Sequence, residues 1–322
     1  MTINHVISIM ILRGYKMKSI MPLKPFASHK IWGGQLLSKI RNINVAPEQD
    51  PLGETWEISA HDDGASFSEE GPLNKIFNLE DIPYLVKFID TAKNLSVQVH
   101  PQDEYAKRVE NSKGKSECWI ILDAKEGAGI YLGVKPGVDK ETFRDAIESK
   151  DDLSKFLNFY PVKRGDFFYV PAGTIHAIGE DVFLAEVQQC SDITYRVWDW
   201  NRVDEKGNSR ELHVQKSLDV IRFDEEFNFP INFKIQNNIF NQDLKLLELN
   251  DFELFSYSRE DEFKIEVSFE KRVSSILVLS GEVQVTRGGV SESLSQYEAA
   301  IFPLEEENSF SVVGKGSFLI IK

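Results

Sequence analysis

The sequence predicts a mainly β protein: two β-barrels in series, the first carrying a small helical insertion. Three observations lead there. Gly165 to His176 reads GDFFYVPAGTIH, a strand, a tight turn and a return strand. From Pro22 to about Val134, short β-type runs are broken by Gly, Asn, Asp and Pro. From Asn228 to Lys322 nearly every stretch alternates apolar and polar side chains, the mark of half-buried strands.

The elements follow in order. All four methionines, Met1, Met10, Met17 and Met21, fall within the first 21 residues. The apolar run Val6 to Leu12 is too short to span a membrane. It also lacks the basic region and small-residue cleavage site of a secretory signal. Residues 1–20 therefore read as an N-terminal extension, with the first barrel over 21–227. A short helix is expected after Pro101, over DEYAKRV. Two helical patterns lie at about 139–159: Phe143, Ala146 and Ile147 share one face, and Leu153, Phe156 and Leu157 another. They read as an insertion that could wall the cleft. Strands return from Gly165 to Trp200, with one strand over Phe167 to Val170 and the next starting at Thr174. A helix from about Arg210 to Val220, burying Leu212 and Leu218, closes this half. Residues 228–322 form the second barrel, with SSILVLSGEVQVTRGG as a hairpin turning near Ser280-Gly281. IFPLEEENSF echoes FYVPAGTIHAI but has no histidine, so this barrel is expected to lack a metal and to serve stability.

Charge and cysteine usage bound the function. The chain has 322 residues, 37 basic and 51 acidic, for a net charge of −14. That argues against nucleic acid and anionic membranes as partners, because both call for basic patches. Cys118 and Cys190 are too few for a disulfide framework, which points to a reducing cytoplasm. Cys118 should face away from its neighbour Glu117 and serve packing.

Side-chain alternation singles out one set of residues. In LSVQVHP (Leu95 to Pro101), Leu95, Val97 and Val99 form an apolar face, while Ser96, Gln98 and His100 point the other way. In GKSECWIIL (Gly114 to Leu122), Lys115, Glu117 and Trp119 share a face. In the turn, Pro171 fixes φ and Gly173 accepts a conformation other residues resist, so His176 is held rigidly. Gln98, His100, Glu117 and His176 thus offer mixed oxygen and imidazole donors that suit one divalent transition metal, zinc first. Trp32 reads as core or as a wall for a sugar face, and His61 and His213 as structural or surface residues.

The Gly-x5-Pro-x-Gly-x2-His run resembles the second motif of the cupin barrels. QVHP, GKSECW, PAGTIHAIG and TYRVWDW together resemble the type I mannose-6-phosphate isomerase family in its short bacterial form. KIWGG (Lys30 to Gly34), GETWEISAH (Gly53 to His61) and ELHVQKSLDVI (Glu211 to Ile221) match as well. The likeness is dense from about Lys30 to Ile221 and faint beyond. It implies two cupin-type jelly-roll barrels, one Zn2+ per chain, a monomer and a small phosphosugar substrate, with aldose and ketose exchanged through a cis-enediol.

The same resemblance, with strand parity, implies roles. Glu186, a carboxylate in the apolar run DVFLAEVQQ, either pairs two strands or takes part in proton movement. Arg196 in TYRVWDW is placed on a face with Trp198 and Trp200, emerging between their rings, and would stabilise the enediolate. Lys115 contacts substrate or transfers a proton. Ser96 binds phosphate with a cationic partner, Lys87 first, with Arg202 and Lys216 as alternatives. Gln98, where many cupins carry histidine, argues against a cupin dioxygenase. Lys115, Glu186 and Arg196 around one centre argue against a non-catalytic sugar-binding cupin.

Overall fold

Strands dominate the computed structural model, which describes residues 17–203, 207–270, 272–305 and 308–322. Most of the expected N-terminal extension, and Glu306 and Glu307 of IFPLEEENSF, lie outside the described residues. The chain divides into two compact units, one of Ser28–Thr55 and Phe88–Asn238, the other of Met1–Ala27, Trp56–Lys87 and Ile239–Lys322. This division is discontinuous in sequence, whereas the reading above drew one cut at 227/228.

The first unit is built on two antiparallel ladders. One is five-stranded, in the order Leu157–Pro161, Gly129–Val134, His176–Ile178, Val97–Val99, Tyr195–Trp198. The other has the order Phe167–Val170, Glu117–Ala124, Val182–Gln189, Tyr84–Asp90, Leu52–Ile58, Phe26–His29, and the division between units falls within its last three strands. The sheets are open at both ends of these orders rather than closed cylinders.

Alternation on the short strand Val97–Val99 sets the layers. Val97 and Val99 pack with Phe143, Ala146, Leu153, Leu157, Leu218 and Val220, beneath the helices Lys140–Glu148 and Val214–Val220. Gln98 therefore faces the opposite side, where His176 lies beside it. The helical insertion covers the far face of this sheet and does not wall a cleft, contrary to expectation. Its first helix forms as expected, with the Asp139 carboxylate accepting the Thr142 N–H at 2.7 Å as an N-cap. The second shortens to a single 3-10 turn, Leu153–Phe156, because Leu157 already belongs to a strand paired with Gly129–Val134. The helix expected from Arg210 starts at Val214, and Leu212 is 40% exposed while Leu218 is buried. Arg210 is tied to Asp199 and the His213 N–H donates to the Arg196 carbonyl at 2.7 Å, which draws 210–213 out of helical geometry.

The second unit carries a seven-stranded sheet in the order Met21–Pro22, Ala299–Phe302, Ser274–Arg287, Ser309–Ile321, Glu253–Ser268, Leu244–Glu248, with Val290–Ser295 on Ser274–Arg287. Ile20, at the end of the presumed extension, is already buried in its core with Ile276, Phe302, Phe310 and Phe318. The hairpin turn expected at Ser280-Gly281 is absent, since strand Ser274–Arg287 runs through it. The register slips there instead, and Gly281 takes φ +76° opposite Gly316, where a Cβ would come within 2.1 Å of the Lys315 carbonyl oxygen. The chain turns at Gly288-Gly289, both left-handed.

Candidate metal centre

Three buried side chains converge from separate elements of the first unit. His100 follows strand Val97–Val99, Glu117 opens strand Glu117–Ala124, and His176 opens His176–Ile178. The last strand begins at His176 rather than at Thr174, after a turn in which Gly173 has φ +92°. Their ligand atoms all lie within 4.8 Å of one another. His100 Nε2 is 3.3 Å from one Glu117 oxygen, and His176 Nε2 is 3.4 Å from the other. Gln98, directly across the ladder from His176, places its amide 3.4 Å from His176 Nε2. Half a turn about its last torsion presents Oε1 at the same place.

The hydrogen bonds behind the rings fix their tautomers. His100 Nδ1 donates to the Ile193 carbonyl at 2.8 Å, and His176 Nδ1 to the Thr174 carbonyl at 2.9 Å. Both Nε2 lone pairs are thereby turned to the common centre, as a metal ligand requires. Glu117 Oε1 is buried with no hydrogen-bond partner, a costly arrangement that a bound cation would relieve. The donor set and its orientation fit a divalent transition metal.

Electrostatics keep these groups in ligand form. Burial first, then the neighbouring Lys115 ammonium, lowers the pKa of His100, and burial pushes His176 down to about 3. Burial opposes ionisation of Glu117, but the Lys115 ammonium against it outweighs this and holds the carboxyl well below its usual range. Cys118, facing away as expected, is buried and its thiol is pushed well up, first by burial and then by Glu117 and Glu186.

A pH dependence follows. Both imidazoles have folded pKa values below their ordinary 6.5. As pH falls below 6.5 the unfolded chain takes up protons that the fold resists, so stability present above that pH is progressively lost toward about pH 3. The thermal midpoint of metal-free protein, followed by circular dichroism, should fall steadily across this window. A flat profile from pH 6.5 to 4 would contradict neutral buried imidazoles.

Around this centre the expected catalytic candidates are brought together. Lys115 Nζ lies 2.5 Å from Glu117 Oε2, 3.1 Å from His100 Nε2 and 3.8 Å from Glu186 Oε1. Trp119 Nε1 donates to Glu186 Oε2 at 3.0 Å, the two residues being partners across the ladder. Arg196 pairs with Gln98 on the other side from His176, so the row His176, Gln98, Arg196 shares one face. Its guanidinium reaches the Glu211 carbonyl at 2.9 Å, and its Nε is buried without a partner. Arg196 does not share a face with Trp198, as parity had suggested. The register slips between them, placing Arg196 opposite Gln98 and Trp198 opposite Val97, on opposite sides of the sheet.

Ser96 is buried. Lys87 is buried too, its ammonium 4.4 Å from the Trp56 ring centroid, within the other unit. Lys216 pairs with Glu110. Arg202 donates to the Asn94 carbonyl at 2.7 Å, two residues from Ser96 in the chain, and shares Asp199 with Arg210. Sequence reading missed Asp199 and Arg210, because the turn that joins them to Arg202 carries no periodic signal. Trp32 is core, and the His213 ring accepts the Arg196 N–H.

Comparison with known proteins locates these features in a wider group. A family model described as the phosphomannose isomerase type I catalytic domain matches residues 20–117. The probable mannose-6-phosphate isomerase GmuF of Bacillus subtilis strain 168 is 34% identical over 324 residues, covering 92% of this chain and 97% of that protein. A mannose-6-phosphate isomerase of Streptococcus mutans is 42% identical over 207 residues, covering 60% of this chain and 64% of its own length. The crystal structure of the mannose 6-phosphate isomerase from Bacillus subtilis superposes with a TM-score of 0.78 at 27% identity, covering 95% of this chain and 100% of that one.

Proposed function

The chain belongs to the type I phosphomannose isomerase family, and from that membership we propose that it interconverts mannose 6-phosphate and fructose 6-phosphate. The observation that carries the reading is the buried His100, Glu117, His176 cluster with Lys115 and Glu186 against it. We read the paired sheets of the first unit as a cupin-type jelly roll and the C-terminal sheet as a second barrel without a metal. In chain terms the catalytic region is then Ser28–Thr55 with Phe88–Asn238, and the supporting one is Ile239–Lys322 with Trp56–Lys87, where a single cut at 227/228 was expected. No helix among the described residues is long and apolar enough to cross a membrane. We place the enzyme in the cytoplasm as a monomer.

Gln98, His100, Glu117 and His176 would hold one Zn2+. A divalent cation there supplies Lewis acidity toward the sugar oxygens on which charge develops. The chain's own residues do the rest. Glu186, oriented by Trp119, takes the proton from one of the two sugar carbons, C1 or C2, and returns it to the other. Lys115, within ion-pair distance of Glu186, balances its charge and hydrogen-bonds the adjacent sugar oxygen. Arg196 remains cationic although burial lowers its pKa, and meets the enediolate as it forms. Ser96 receives the phosphate with Arg202, which reaches the Asn94 carbonyl, as its cation; Lys87, the first expectation, packs on Trp56 within the other unit. Ser96→Ala should raise KM for mannose 6-phosphate about tenfold with a smaller effect on kcat, as loss of a hydrogen bond to a charged group predicts.

A coupled assay on mannose 6-phosphate tests the whole reading. Turnover should vanish with chelator and return with zinc. Oxygen uptake, or sugar-phosphate binding without turnover, would replace it.

A further inference from the structure

The two imidazoles of the centre are anchored differently. His176 leans on Thr174, two residues upstream in its own segment. His100 leans on Ile193, 93 residues away, so its orientation depends on whatever fixes the 189–193 segment. Gln188 does this most directly. It is fully buried and sits across the ladder from Glu117, on the same face. Its Nε2 donates to the Gln189 carbonyl at 3.0 Å and to the Ser191 carbonyl at 2.6 Å. Ser191 Oγ in turn donates to the Lys113 carbonyl at 3.0 Å and accepts the Ile193 N–H at 3.4 Å. Gln189 closes the segment against Ser116, in one direction through its N–H and in the other through Oε1.

We propose that Gln188 is a positioning residue for the metal centre, acting through Ser191 and the Ile193 carbonyl to hold His100 in its metal-binding orientation. The unusual part is its other end. Gln188 Oε1 is buried without a partner. A side chain kept for stability alone gains little from an amide whose acceptor is left unsatisfied, since an apolar residue of the same shape avoids that cost. Loss of a group that orients a ligand typically weakens metal binding 10- to 100-fold. This inference rests on the metal-site reading above.

The test is Gln188→Met in the full chain, close to isosteric and without either polar atom. Zinc affinity is read by competition with a chromophoric chelator on metal-free protein, beside the thermal midpoint of that protein. Zinc should bind about 10- to 100-fold more weakly while the midpoint shifts by no more than about 4 °C. Saturating zinc should restore kcat. Unchanged affinity, or an affinity loss accompanied by a much larger fall in midpoint, overturns the proposal. Should Gln188→Met fail to fold, Ser191→Ala decides. It removes the next link and must lower zinc affinity in the same direction, and wild-type affinity in that variant overturns the proposal. Wild-type protein in the same titration separates the two readings, because no zinc uptake there would sink the metal centre itself.

Discussion

Alanine at His176 should remove the metal and the activity together. The ring is fully buried, its Nδ1 is committed to the Thr174 carbonyl, and its Nε2 lies 3.4 Å from Glu117. His100 and Glu117 present their own donors to the cluster and would be left without its third member. Lewis-acid stabilisation is worth several kcal/mol, so turnover should fall by about a thousandfold or more. Metal analysis on the purified variant should show well below one equivalent. Full metal content with lost activity would instead make His176 a substrate contact and not a ligand.

Arg196→Ala should separate the two properties. Arg196 stands next to Gln98 in the row that begins at His176, yet no ligand atom depends on its guanidinium. Metal content should stay near wild type while kcat falls by about two orders of magnitude or more, the usual loss for a group that stabilises developing charge. Its Nε, buried without a partner, is the donor that the proposed role assigns to the oxyanion. Lysine should restore little, because a point charge does not reproduce the planar fork. Near-normal kcat in the alanine variant would remove Arg196 from the chemistry.

What could be read from the sequence was whatever strand alternation controls. Gln98 and Glu117 fall on the inner face because their neighbours Val97, Val99 and Cys118 have an apolar side to fill. The turn before His176 announced itself through Pro171 and Gly173, and Gly173 does adopt a left-handed φ. Alternation misled wherever the ladder slips. The irregularity after Arg196 reversed the side of Trp198, and the one near Ser280 concealed a continuous strand. The carbonyls of Thr174 and Ile193, which choose the imidazole tautomers, leave no trace in side-chain pattern at all. Leu212 fitted a helical periodicity that the Asp199–Arg210 pair cuts short.

The strand Val97–Val99 is only three residues long, and its middle side chain faces the His176 cluster while its outer two pack beneath the helices. A one-residue slip of this strand against its two neighbours would present valine to the His176 cluster and glutamine to an oily layer, costing both at once. The register of this strand consequently matters to the site as much as the identity of its side chains.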